Sequence, residues 1–138
     1  MQNNLTEKEI NNLYNWAKKY GIKELQTKNI NELLNIKELI IMKDMVYKKT
    51  FYIPNEFFKL VNLKNLFISS KNLKILPENI GNLINLEELI IGTFFIGKLI
   101  KLPRGIGNLT KLKKLEINSM TLKNFRKKYV IFPILKKL

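Results

Sequence analysis

The chain has no cysteine and no histidine among its 138 residues. Without cysteine there is no disulfide framework and no thiolate nucleophile, and the composition suits a reducing compartment. Without histidine as well, neither a His-based triad nor an ordinary zinc site can be built. No run of about 18 apolar residues exists, so no membrane-spanning helix is expected. The opening segment MQNNLTEKEI lacks the apolar stretch of a signal peptide. A cytoplasmic protein without a cofactor is the expectation. Arginine is scarce, confined to Arg104 and Arg126, so the formal net charge of +14 is nearly all lysine. Two explanations stand open. Lys, Asn and Ile together are what an AT-rich genome writes into surfaces and cores; the alternative is an anionic partner. Phosphate readers favour arginine for its bidentate fork, which weighs toward the first.

What the chain does have is a repeat. From Pro77, apolar residues fall at offsets of 3, 6, 9, 12 and 14, giving Ile80, Leu83, Leu86, Leu89 and Ile91. From Pro103 the same offsets give Ile106, Leu109, Leu112, Leu115 and Ile117, and from Pro54 they give Phe57, Leu60, Leu63, Leu66 and Ile68. From Thr27, without the proline, they give Ile30, Leu33, Ile36, Leu39 and Ile41. The copies are spaced by 27, 23 and 26 residues, the period of a solenoid. A strict three-residue step slips about 60° per step around an α-helix, so these leucines cannot hold one helical face. The final two-residue step is a strand period. Each unit therefore reads as a tight 3₁₀-like or irregular turn feeding a short strand. Stacked units would pair their strands in parallel and merge their leucines into one core.

The segments Leu63-x-x-Leu66-x-Ile68, Leu86-x-x-Leu89-x-Ile91 and Leu112-x-x-Leu115-x-Ile117 resemble the leucine-rich repeat signature. The phrase Leu-Pro-x-x-Ile-Gly-Asn-Leu, clean at 76–83 and close at 102–109, resembles the 23-residue subclass of Ras-binding, plant intracellular and many bacterial proteins. The resemblance covers about 27–125. It implies an α/β fold: a short solenoid with a parallel concave sheet and an irregular or 3₁₀ convex side. It also implies protein binding in general, without naming a partner. The family's Asn or Cys after the strand is missing; Asp44, Lys71, Phe94 and Met120 stand there. Only Asp44 could imitate it. The apolar position two further on is kept, as Val46, Leu73, Ile96 and Leu122.

One domain over 1–138 is expected, without internal linker. Residues 5–21 read as a capping helix. Thr6-x-x-Glu9 is a capping box, Leu5 is placed to staple against Ile10, and Gly21 suits the C-terminal cap. Its apolar stripe is Ile10, Leu13, Tyr14, Ala17 and Tyr20, with Trp16 beside it, and the helix should seal the first repeat. Repeats occupy 27–53, 54–76, 77–102 and 103–125, with strands near 38–42, 65–69, 88–92 and 114–118. From Arg126 the offsets give Tyr129, Phe132, Leu135 and Leu138, an incomplete fifth repeat read as a C-terminal cap. If it does not cover the last strand, that strand is an exposed edge and a weak homodimer could form there; otherwise a monomer is expected.

Alternation along the strands puts three columns on the concave face. The first is Glu38, Asn65, Glu88 and Lys114. The second is Ile40, Phe67, Ile90 and Glu116. The third is Met42, Ser69, Gly92 and Asn118. Ile40, Phe67 and Ile90, with Met42 adjoining, would form an exposed apolar patch, which usually marks an interaction surface. An apolar centre within a Glu/Lys rim suits a protein partner, and a non-enzymatic protein-interaction module is the leading reading. The alternative is an electrostatic binder of nucleic acid or another polyanion. It would use the lysines of the tail and the loop residues Tyr47, Lys48, Lys49, Tyr52, Lys98 and Lys101, which mix aromatics and cations on one flank. Catalysis has little support. Glu88 and Glu116 could approach as a carboxylate pair, but nothing encloses them. Gly105-x-Gly107 lies inside the repeat phrase, without the strand and further glycine of a dinucleotide fingerprint.

Overall fold

The computed structural model describes residues 5–42, 51–70, 72–92, 101–117 and 128–131. Each repeat folds as a turn followed by a strand. Pro54, Pro77 and Pro103 hold φ at −72°, −65° and −72° and open the 3₁₀ turns Asn55–Lys59, Glu78–Asn82 and Arg104–Asn108. Proline suits the start of such a turn because its φ is preset and the missing N–H costs no bond there. The first copy has no proline. Asn29 caps it instead, its side-chain oxygen accepting from the backbone N–H of Asn31 (2.9 Å) and Glu32 (3.2 Å). That cap starts a short true helix, α2 (Ile30–Leu34), preceded by the main helix α1 (Glu7–Tyr20).

The strands are β1 (Glu38–Met42), β2 (Asn65–Ser69), β3 (Glu88–Ile91) and β4 (Lys114–Ile117), parallel and adjacent in chain order. Leu39, Leu66, Leu89 and Leu115 stand in one register row, and Ile41, Ile68, Ile91 and Ile117 in another. All eight are buried. Each strand begins on a shared acceptor: the Lys37 carbonyl takes the N–H groups of Lys64 and Asn65, Lys64 takes those of Glu87 and Glu88, and Glu87 takes those of Lys113 and Lys114.

The convex turns are bound by a ladder that the leucine spacing does not announce. The Asn62 amide donates to the Leu34 carbonyl (2.6 Å), and the Asn85 amide to the Val61 carbonyl (2.8 Å). In the fourth copy Lys111 takes the place of asparagine and donates to the Asn85 side-chain oxygen (2.7 Å). Buried or half-buried carbonyls in irregular turns need such partners. The positions where the family's own asparagine was sought, Asp44, Lys71, Phe94 and Met120, lie outside the described residues, as do Val46, Ile96 and Leu122. Leu73 is buried.

Between the third and fourth turns the backbones touch. A Cβ on Gly105 would lie 2.1 Å from the Glu78 carbonyl oxygen, and one on Gly81 2.6 Å from that of Gly105. The same junction is tied by Glu78, whose carboxylate accepts from the Gly105 N–H (2.7 Å) and the Arg104 N–H (3.2 Å). Gly81 and Gly105 are thus contact points between repeats as well as turn residues.

Helix α1 carries the capping box read in the sequence. The Thr6 N–H donates to Glu9 Oε2 (2.8 Å), the Glu9 N–H to Thr6 Oγ1 (3.2 Å), and Gly21 closes the helix at φ 66°. Its buried face differs from the stripe expected. It consists of Leu13, Trp16, Ala17 and Tyr20, while Ile10 and Tyr14 are half-buried. Trp16 is at the centre, packed against Tyr20, Phe51 and Phe57 with ring centroids 5.8–5.9 Å apart. Its indole N–H donates to the Tyr52 carbonyl (2.9 Å), which satisfies the one polar atom this placement buries.

The C-terminal end corrects an expectation. Residues 128–131 would form the irregular turn of a fifth repeat; instead β5 (Lys128–Ile131) is a strand, antiparallel to β4. The connection 118–127 is shorter than the dozen or so residues a parallel crossover needs, whereas an antiparallel return is open to it. The β4 edge, considered above for a homodimer, is therefore occupied by β5. Phe132, Leu135 and Leu138 lie outside the described residues. Among the described residues no helix is long and apolar enough to cross a membrane.

Candidate functional site

The buried leucine and isoleucine rows turn the alternate residues of each strand to the other face of the sheet. There the register brings Glu38, Asn65, Glu88 and Lys114 into one column and Ile40, Phe67, Ile90 and Glu116 into the next. Met42 pairs with Ser69 at the start of the third; Asn118 lies outside the described residues. The first two columns coincide with those drawn from the sequence. Their exposure does not. Along the second column it falls from β1 inward: Ile40 is 59% exposed, Phe67 half-buried and Ile90 only 3% exposed. Ile90 is therefore buried on the sheet face opposite Leu89 and Ile91, outside the main core cluster, and does not present an exposed anchor. It lies at the middle of a five-stranded sheet, flanked in register by Phe67 and Glu116, and Glu116 is followed by Tyr129 of β5. Ser69 and Gly92 are also buried.

The apolar surface that remains is Ile40 and Met42, the latter 53% exposed, with Phe67 beside them on β2. It lies at the β1 side of the sheet. A cleft of about 160 Å³ runs next to it, lined by Glu38, Leu39, Ile40, Asn65, Phe67 and Glu88. The Asn65 amide donates to Glu38 Oε1 at 3.2 Å. On the β4 side Lys114 lies 3.9 Å from Glu116 on its own strand. That pairing occupies Glu116, so the carboxylates of Glu88 and Glu116 do not form an isolated couple. At the strand entrance Glu87 is bound by Lys113 at 3.0 Å, and this hydrogen bond, with the positive charge of Lys113, Lys64 and Lys111 behind it, holds its carboxyl below the usual range.

Of the loop alternative only Tyr52 and Lys101 fall among the described residues. Tyr47, Lys48, Lys49 and Lys98 lie outside the described residues. Lys101 and Tyr52 are exposed. Tyr52 belongs to the cap-helix side, its ring 6.2 Å from Tyr20 and 6.0 Å from the Lys19 ammonium. Phe51, which precedes it, is buried. A second depression of about 340 Å³ lies between α1 and this segment, lined by Asn12, Asn15, Trp16, Lys19, Tyr52, Pro54 and Glu56. Among the described residues no group of three or more His, Cys, Asp or Glu side chains could hold a metal ion.

Spacing alone missed three positions that matter to the architecture: Asn62, Asn85 and Glu78. Asparagine recurs at offset 8 in three copies (Asn35, Asn62, Asn85), which was the available signal. Glu78 has no such recurrence.

No family model and no curated protein matches the chain. Among solved structures it is similar to the plant peptide hormone receptor RGFR1 in complex with RGF2, at 26% identity and a TM-score of 0.47. The match covers 64% of this chain and 14% of the receptor chain, so the chain spans a small part of that receptor's length.

Proposed function

We propose that the chain is a non-enzymatic protein-interaction module of the leucine-rich repeat type, one domain of four stacked repeats behind a capping helix. In this reading it binds a partner protein on its open, concave sheet face, and a cytoplasmic setting is part of the same proposal. Ile40, Met42 and Phe67 are the apolar centre. Glu38, Asn65, Glu88, Lys114 and Glu116 are the polar surround that sets register and selectivity. The observation that carries the reading is the exposure of Ile40 and Met42, 59% and 53%, two apolar side chains on the same face of β1, whose alternate residues Leu39 and Ile41 are buried. Large apolar side chains grouped at the surface and rimmed by charge are the usual signature of an interface.

The test is capture of a binding partner by wild type and by Ile40→Asp/Met42→Asp, with folding followed by circular dichroism. Loss of a specific partner from a folded variant supports the reading; unchanged capture removes it. The net charge of +14 favours a second reading, binding of nucleic acid or another polyanion through exposed lysines. Salt separates the two, because polyanion affinity falls steeply with ionic strength and an apolar interface does not.

A further inference from the structure

We infer that the cleft beside Glu38, Asn65 and Glu88 is a socket for an arginine side chain of the partner protein. This rests on the reading of the open face as a binding surface and specifies what the partner brings to it. The three residues stand in register on β1, β2 and β3, one strand spacing of about 4.8 Å apart. An ionised carboxylate only accepts, so the Asn65 amide turns its NH₂ to Glu38, and Nδ2 lies 3.2 Å from Oε1. The Asn65 carbonyl oxygen is then left as an acceptor. Next to it, the Glu88 carboxylate receives neither a hydrogen bond nor an ion pair among the described residues, since Lys114 opposite it lies by Glu116. Acceptors in this row outnumber donors.

The walls of the cleft are Leu39, Ile40 and Phe67, and among the described residues no lysine lines it although the chain carries +14. A guanidinium answers each feature. Its five N–H donors form a planar fork that serves two carboxylates and an amide oxygen together. Its plane and methylene stem can lie on Phe67 and Ile40. A lysine ammonium supplies the charge without the plane. A second copy of this chain is a poor source, because two +14 surfaces repel and arginine occurs only at 104 and 126.

The probe is Nα-acetyl-arginine N-methylamide, titrated into the isotope-labelled full chain and followed by NMR. The lysine and norleucine counterparts are run in parallel. Saturable shifts confined to Ile40, Phe67 and Glu88, tightest for arginine, are expected. Glu38→Gln/Glu88→Gln should weaken them about tenfold or more. Equal shifts with norleucine, shifts scattered over the surface, or no effect of the double substitution would overturn the socket. The fate of the wider reading is separable, because the glutamine variant leaves Ile40 and Met42 intact. A partner retained by it but lost by Ile40→Asp/Met42→Asp removes the arginine socket and leaves the binding face.

Discussion

The Lys59 ammonium lies 2.8 and 2.9 Å from the two carboxylate oxygens of Glu9, fifty residues away in the chain. Glu9 is the same residue that closes the capping box of α1, so one carboxylate both starts the helix and ties it to the second repeat. The hydrogen bond from Lys59, then that from the Thr6 N–H, holds its carboxyl below the ordinary glutamate value of 4.5. A depressed carboxyl contributes stability above its unfolded pKa and loses it as pH falls through the folded value. Glu9→Gln keeps the capping geometry and removes the ion pair. It should cost about 0.2–1 kcal/mol at neutral pH. Urea midpoints of the two proteins, measured from pH 7 to pH 3, should converge at the acid end.

Gly105→Ala and Gly107→Ala make a matched pair. A Cβ at Gly105 meets a backbone oxygen at 2.1 Å, while one at Gly107 meets nothing within 4 Å. The first substitution must separate the third and fourth turns and should destabilise by about 1–3 kcal/mol. The second stiffens the unfolded chain and should be neutral or stabilising by up to about 1 kcal/mol. Thermal or chemical unfolding of both variants decides the matter. Equal effects would mean that the turns are not in backbone contact.

Trp16→Ala should cost about 3–5 kcal/mol, because the ring fills the junction between α1, Phe51 and Phe57. Trp16→Phe keeps much of the packing but loses the indole N–H that serves the Tyr52 carbonyl at 2.9 Å. About 1–3 kcal/mol is expected for that acceptor left unmatched. Tryptophan fluorescence of the wild type reports the same site, with a blue-shifted native emission that moves red on unfolding.

Ile90→Asp should unfold or severely destabilise the protein, by about 3 kcal/mol or more, because it places a carboxylate where the native side chain is 3% exposed. Ile40→Asp, in the same register column, should change stability by no more than about 0.5 kcal/mol. Equilibrium denaturation of the two separates an exposed position from a buried one. If Ile90→Asp folds normally, the graded burial of this column is wrong.

The columns of the open face were legible in the sequence because strand alternation and repeat spacing are local. Leu39 and Ile41 pointing inward oblige Ile40 to point outward. Which of the outward residues water can reach was not legible. Ile40, Phe67 and Ile90 occupy equivalent positions, yet only Ile40 is well exposed, because burial depends on how many strands and segments stand around a position. The same holds for Trp16. A helical wheel gives an apolar arc, and the packing of Phe51 and Phe57 decides which residue becomes its centre.

By itself the sequence determined the turn–strand unit, its register, and the capping of the first helix, since each follows from side-chain chemistry within a few residues. The tertiary structure decided the rest: the backbone contact at Gly105, the Glu9–Lys59 tie, the antiparallel β5, and the division of one apolar column into buried and exposed positions. These depend on which segments meet across 11 to 50 residues of chain, and a repeat pattern is blind to that because every copy obeys the same local rule.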